Sequence, residues 1–404
     1  MSTPALSDVK VLDFMWVMAG PAATRVLADY GATVVRVEST RRIDTARTLA
    51  PYRAGVLGPE NSGCFQNLNT GKRMVTLDPT RETGREVVLD LVRWADVVTE
   101  SFAPGTMRRW GLDYETLRAV KPNVVMLSTS LMGQTGPLAT FAGYGNLAAA
   151  ISGFSNLGGW PDRPPAGPFS AYTDYVSPRF IAASILAALD HRRRTGEGQA
   201  IDLSQAEASL HFLAPAILDY TVNGRVAGRI GNRDPDHAPH GVYPAAGTDR
   251  WVAIAVTTDA EWRALRDAMD RPDLAANATL EGAAGRCAQA DALDEAVAGW
   301  TASRDAHDVE AILQSRGVPA HVVQDSHDLV RDPQLLHRRH FVQLRHPTDG
   351  TSPVEGSRFV LSRTPAEIGG SVPTFGRDNE DVLRSILGYD DDRITALVAA
   401  GALE

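Results

Sequence analysis

The sequence predicts an α/β fold, a large domain built on a mostly parallel sheet covered by helices, joined to a smaller α+β domain. Three observations carry this expectation. Short β-branched runs at 9–14, 33–37, 74–77, 97–98 and 124–127 alternate with helical periodicity. Turn formers punctuate the alternation. Near Gly224 the alternation gives way to a different pattern that lasts to about residue 330.

The run 9–14 (VKVLDF) reads as a strand, and Ala19-Gly20-Pro21 opens a helix, because proline costs nothing at an early helical position. Gly31 closes that helix in a left-handed conformation, and 33–37 is the second strand. The alternation continues through strand 74–77, helix 85–94 and strands 97–98 and 124–127. Residues 153–168 turn to Gly, Pro and Trp and read as an irregular loop. Ser177-Pro178 reads as N-cap and first residue of a helix to about Arg194, with Ile181, Ile185, Leu186 and Leu189 on one face. The basic run 191–194 suits the negative end of that helix dipole. Ser204-Gln205-Ala206-Glu207 fits a capping box for a helix toward Tyr220. Residues 232–239 read as a loop, 251–256 as a strand, 259–269 as an amphipathic helix and 293–315 as two more. The expected domains are 1–224 (first part of the large domain), 225–330 (small domain) and 331–404, which returns to the large one.

With 404 residues, 40 Lys+Arg and 49 Asp+Glu, the net charge of −9 argues against a nucleic-acid partner. No apolar run reaches the ~18 residues of a membrane span. Two cysteines, Cys64 and Cys287, build neither a disulfide framework nor a thiolate zinc site. We read a packed, cytoplasmic chain.

The turn after the first strand offers only Gly20 and lacks G-x-G-x-x-G, so Glu38 is not read as a ribose ligand of a dinucleotide. Phosphate-loop and G-x-S-x-G patterns are absent too. Asp234, Asp236, His237 and His240 are ligand types in one loop, but their spacing matches no zinc or calcium pattern, and no metal is expected. Cys64 has no activating base near it in sequence and reads as a small buried thiol. Asp174 lies in Tyr172-Thr173-Asp174-Tyr175, three residues ahead of the presumed Ser177 cap. A carboxylate near a helix start can attack an activated acyl group. From spacing alone, a solvated loop aspartate is the simpler reading.

Four segments together resemble the class III CoA-transferase family, which includes formyl-CoA transferase and carnitine CoA-transferase, with alpha-methylacyl-CoA racemase as a relative. They are VLDFMWVMAGPAATRVLADYGATVVRVE (11–38), NLNTGKRMVTLD (67–78), ESFAPGTMRRWGLDYETL (100–117) and ILAALDHRRRTGEGQAIDLSQAEA (185–208). Weaker echoes run through APHGVYP, RGVPAHVV and DPQLLHRR. The resemblance implies an interlocked homodimer, each chain with a Rossmann-like large domain, that moves coenzyme A between an acyl-CoA thioester and a carboxylic acid. It implies Asp174 as the covalent nucleophile, forming a mixed anhydride and then an aspartyl-CoA thioester. It further implies Val17, Met18, Tyr144 and His240 at the substrate, and Arg41 or Arg42, Lys72, Arg73 and Arg109 at the coenzyme A phosphates and adenine. No tightly bound cofactor is implied, coenzyme A being part of the substrate.

Two departures bear on substrate. The stretch after Gly231-Asn232 lacks the glycine-rich flap of formyl-CoA transferases, and Met18 replaces their glutamine, which points away from oxalate and formyl-CoA, while the apolar Met15, Trp16 and Met18 point toward a bulkier acid. Where racemases carry a His-Asp pair, this chain has Tyr144-Gly145 and so lacks the base that would move an alpha proton.

Overall fold

The computed structural model describes residues 3–347 and 350–403. Its first 130 residues supply five of the six strands of a parallel sheet. β1 (Lys10–Phe14), α1 (Ala19–Asp29), β2 (Thr33–Glu38), α2 (Gly63–Asn69), β3 (Arg73–Thr76), α3 (Glu82–Trp94), β4 (Val97–Glu100), α4 (Thr106–Arg109), α5 (Tyr114–Val120) and β5 (Val125–Ser130) follow in turn. Short α6 (Gly145–Ile151) and α7 (Phe154–Leu157) precede α8 (Tyr172–Thr195), which delivers the chain to β6 (Ala200–Ser204). The strand order is β3-β2-β1-β4-β5-β6 with every pairing parallel, the Rossmann-like order.

Strand alternation divides the core into two layers. Leu12, Phe14, Val35, Val37 and Val98 point one way, onto Val87, Val88 and Leu91 of α3, with Leu383 and Leu397 from the C-terminal segment. Val11, Val34, Val97, Val125 and Leu127 point the other way, onto Ala23 and Leu27 of α1 and Ile181 and Ile185 of α8. Both faces are covered, which is why these strands read as near-continuous apolar runs.

The chain divides into two compact units. The first holds 1–155, 167–226 and 334–404; the second holds 156–166 and 227–333. The second unit is built on an antiparallel sheet of β7 (His240–Pro244), β8 (Trp251–Ala255) and β9 (Ala320–Val322), backed by a core of Trp262, Leu265, Val297, Val309 and Leu313. Residues 156–166 were expected to be a loop of the large domain. They group with the second unit because Gly231 N–H donates to the Gly159 carbonyl at 2.9 Å and Arg229 to the Trp160 carbonyl at 3.3 Å.

The last part of the chain returns to the first unit with a hairpin, β10 (Phe341–Arg345) and β11 (Thr351–Glu355), and then covers the outer edge of β3. There Met74 N–H donates to Asp378 Oδ2 at 2.6 Å, Thr76 N–H donates to Asn379 Oδ1 at 2.9 Å, and the Met74 carbonyl accepts from Asp378 N–H at 3.0 Å.

Two helix boundaries depart from the sequence expectation. α8 starts at Tyr172, not at a Ser177 cap, so Asp174 sits in its first turn. Ser177 turns its hydroxyl back onto the Thr173 carbonyl at 2.9 Å. Pro178 lies inside the helix, where its missing N–H leaves the Asp174 carbonyl without the usual helical donor. The helix expected from Ser204 to Tyr220 is broken by a 3-10 turn at His211–Leu213 into α9 (Gln205–Leu210) and α10 (Ala214–Asn223). Ser204 accepts the Glu207 N–H as a cap should, without the reciprocal glutamate bond of a full box.

Candidate functional site

Parallel sheets offer ligands the carboxyl ends of their strands. At the end of β1 the loop 15–18 is held taut. Val17 has φ +66°, a left-handed conformation costly for a β-branched residue. It stays there because its N–H donates to both oxygens of Asp44, at 3.0 and 3.2 Å, while Trp16 N–H donates to Ser101 Oγ at 2.8 Å. Beneath the loop lies a buried ionic layer. Arg36 joins the Met15 carbonyl to Asp44, and Arg47 binds Glu38 at 2.8 Å. Asp13 accepts from Thr24 at 2.8 Å, Lys72 at 3.0 Å, Met15 N–H at 3.0 Å and Thr99 at 3.1 Å. Burial works against the Asp13 charge, but Lys72 and Arg36 hold its carboxyl below the ordinary range. Paired polar groups of this kind fix the loop backbone in one geometry.

Asp174 forms the second part. It is 6% exposed, and no cation is among the groups that shift its carboxyl. Burial pushes its pKa up, while hydrogen bonds from Gln205 and from the Gly145 amide work the other way. Oδ1 accepts from Gln205 Nε2. The same Nε2 donates to Thr173 Oγ1 at 3.1 Å, and the Thr173 hydroxyl donates to the Gly145 carbonyl at 2.9 Å. Gly145 opens α6 and must lack a side chain, since a Cβ there would stand 2.7 Å from the Asp174 carboxyl carbon and from Oδ2. A desolvated carboxylate with only neutral donors is a stronger nucleophile than an ion-paired one.

A cleft of about 740 Å³ has Met18, Tyr52, Arg53, Cys64, Ser170 and Tyr175 among its walls. It brings Met18 of the taut loop together with Tyr175, the neighbour of Asp174. Tyr144 precedes α6 and is 60% exposed. Burial pushes the Cys64 thiol up to about 11, which leaves it protonated and inert at neutral pH.

The proposed phosphate cations separate into three situations. Arg41 and Arg109 are exposed and follow the carboxyl ends of β2 and β4, where Arg41 lies 3.4 Å from Asp78 and Arg109 bonds Thr106 Oγ1 at 2.8 Å. Arg42, also exposed, lies over the Trp16 ring at 5.6 Å. Arg73 stands instead at the amino end of β3, bound to Asp381 at 2.6 Å. Lys72 departs most from expectation. Its ammonium has three N–H donors, and Asp13, Asn69 at 2.9 Å and the Pro21 carbonyl at 3.1 Å take all three. It is 1% exposed, and burial pushes it down to about 8. As placed, it supports the taut loop and offers nothing to a phosphate.

His240 belongs to the second unit, where its Nδ1 meets the Asn232 carbonyl at 2.8 Å. It lines a cleft of about 890 Å³ within that unit, together with Trp160, Asn232, Arg233 and Asp294. Asp234 and His237 pair with each other at 2.8 Å.

Sequence reasoning missed Gln205, Asp44 and Arg36. The S-Q-A-E pattern says where Ser204 and Glu207 point and nothing about the residue between them. A buried arginine on an apolar strand is visible in TVVRVE, but its partner Asp44 lies in an irregular stretch with no periodicity to place it.

The model of the family described as CoA-transferase family III matches residues 6–379. Succinyl-CoA–D-citramalate CoA-transferase of Chloroflexus aurantiacus is 31% identical over 394 residues, 98% of this chain and 97% of that protein. Succinyl-CoA:mesaconate CoA-transferase of Haloarcula hispanica is 34% identical over 384 residues, 94% of this chain and 96% of that one. Among solved structures, a CAIB/BAIF family protein from Brucella suis superposes with a TM-score of 0.87 at 30% identity, covering 96% of this chain and 100% of the other.

Proposed function

The chain belongs to CoA-transferase family III, and from that premise we propose that it moves coenzyme A from succinyl-CoA or a similar acyl-CoA to a dicarboxylic acid, with Asp174 as the covalent nucleophile. The observation that carries this reading is a buried carboxylate in the first turn of α8, held by neutral donors alone. The two relatives described above pair succinyl-CoA with D-citramalate or mesaconate, all dicarboxylic, and this supports the substrate class.

Asp174 attacks the thioester carbonyl, a C–O bond forms, the C–S bond breaks and coenzyme A leaves as thiolate. The thiolate then attacks the carboxyl carbon of Asp174, releasing the first acid as carboxylate and leaving an aspartyl-CoA thioester. The incoming carboxylate reverses both steps. No proton is consumed, and water is a competitor to be excluded. Val17, Met18 and Tyr144 border the acyl end in this reading, and Arg41 and Arg109 neutralise phosphates at the carboxyl end of the sheet. His240 keeps Nε2 for a ligand on the resemblance alone. Tyr144 and Gly145 supply no base for racemisation.

A cytoplasmic location and an interlocked homodimer belong to the same reading. Among the described residues no helix is long and apolar enough to cross a membrane. The first unit exposes Leu147, Ile151, Phe169, Phe212 and Leu218, apolar side chains that a second copy would cover. A monomeric mass in sedimentation removes the dimer from this proposal.

The test is incubation with succinyl-CoA and a pool of dicarboxylic acids, followed by mass spectrometry of the acyl-CoA products. New thioesters are expected from the wild type and none from Asp174→Ala. Transfer by a folded Asp174→Ala protein overturns the assignment.

A further inference from the structure

We propose that Gln205 is a second catalytic group, whose carboxamide stabilises the negative oxygen formed each time the Asp174 carboxyl carbon is attacked. The inference rests on Asp174 being the nucleophile.

The orientation of the Gln205 amide follows from its neighbours. A backbone carbonyl can only accept, so the proton of the Thr173 hydroxyl must go to the Gly145 carbonyl, 2.9 Å away. Thr173 Oγ1 is then an acceptor toward Gln205, and the Gln205 atom 3.1 Å from it must be nitrogen. The second N–H of that nitrogen is the one on Asp174 Oδ1. Gln205 is 8% exposed and opens α9 directly behind the Ser204 cap, while Thr173 is fully buried. A chain of three hydrogen bonds thus runs from the Gly145 carbonyl through Thr173 and Gln205 to Asp174.

The chemistry gives that chain of bonds a use beyond holding a side chain. Thiolate attack on the mixed anhydride forms an S–C bond at the Asp174 carboxyl carbon, and the C–O bond to the departing acid breaks. Attack by the incoming carboxylate on the aspartyl thioester forms a C–O bond there, and the C–S bond breaks. Both pass through a tetrahedral carbon with the charge on the oxygen that Asp174 retains. A donor already seated at Oδ1, the Gln205 amide, meets that charge without reorganising. A lysine or arginine in the same place would lock the resting carboxylate in an ion pair and blunt its attack. An amide stabilises the oxyanion and leaves the nucleophile free.

Two substitutions test this, with Asp174→Ala beside them. Gln205→Met keeps the volume and removes both donors; its kcat should fall ~100-fold, the usual cost of one lost oxyanion donor, with KM for the thioester little changed. Gln205→Glu should be poorly active at neutral pH, and its activity relative to wild type should recover as the pH falls, because its carboxyl regains an O–H donor when protonated. A role in packing alone predicts no such recovery, so this profile remains decisive if the methionine variant does not fold. An unchanged kcat in folded Gln205→Met, or a Gln205→Glu profile parallel to wild type, overturns the proposal. If Asp174→Ala is inactive in that case, the transferase reading survives; if Asp174→Ala is active, both fall.

Discussion

Gly145 and Asp174 occupy one space, in that a methyl group on the glycine would stand 2.7 Å from the carboxyl carbon of the aspartate. The missing side chain lets the α6 backbone close on the carboxylate, a use of glycine unrelated to left-handed backbone. Gly145→Ala should displace Asp174 and reduce kcat by ~100-fold, by analogy with misplaced catalytic groups. The check is kcat beside a urea titration, and full activity in the variant would show that the carboxylate has room to move.

Lys72 and Arg41 should respond in opposite ways. Lys72→Met removes the cation bonded directly to the buried Asp13 carboxylate and leaves only the more distant Arg36 charge, and stability should fall by ~3–5 kcal/mol. Arg41 is 55% exposed, so Arg41→Ala should leave stability within ~0.5 kcal/mol and raise KM for the CoA substrate in a salt-dependent way. Urea unfolding and KM measured at two salt concentrations separate the two effects.

The acid side of the pH profile reports Asp174. Its folded pKa is raised, chiefly by burial, so transfer should fail at a higher pH than a free aspartate would give. The sign for stability is the reverse of an ion-paired carboxylate. Ionised Asp174 costs the folded state, and that cost disappears as the pH falls through its folded pKa. Thermal midpoints of wild type and Asp174→Ala, followed from neutral to acid pH, should therefore shift in favour of the wild type.

Glu100 offers a second titration with a separable readout. Burial raises its carboxyl from 4.5 to about 7. Its Oε2 accepts the Phe102 N–H at 2.7 Å, and the Phe102 ring packs edge-on against Trp16 with centroids 5.5 Å apart. Because the folded state favours the protonated form, its stabilisation is present below 4.5 and lost as the pH rises to about 7. Glu100→Gln should remove that part of the stability–pH curve; a curve identical to wild type would sink the assignment.

Much of the sheet was legible in the sequence because strands covered on both faces read as uninterrupted apolar runs flanked by turn formers. Asp174 is singled out by the family resemblance, since spacing alone favours a solvated loop aspartate, whereas the side chain is buried in the first turn of α8. Ser177-Pro178 mimics a cap, and nothing local reveals that the helix runs five residues further back. β6 was missed because its edge position leaves Ala200 and Asp202 half in solvent, so no apolar run announces it. Side-chain partners such as Gln205 with Asp174, or Arg36 with Asp44, depend on loop paths that periodicity cannot trace.

The cover over β3 has a temporal side. Met74 waits for a partner 304 positions later in the chain, so at ~5–20 residues per second a growing polypeptide carries that open strand edge for about 15–60 s before Asp378 exists. An open edge is a template for another chain. Synthesis that stalls or stops short of residue 378 should therefore yield insoluble protein, with an adhesive sheet margin and a core layer that lacks Leu383 and Leu397.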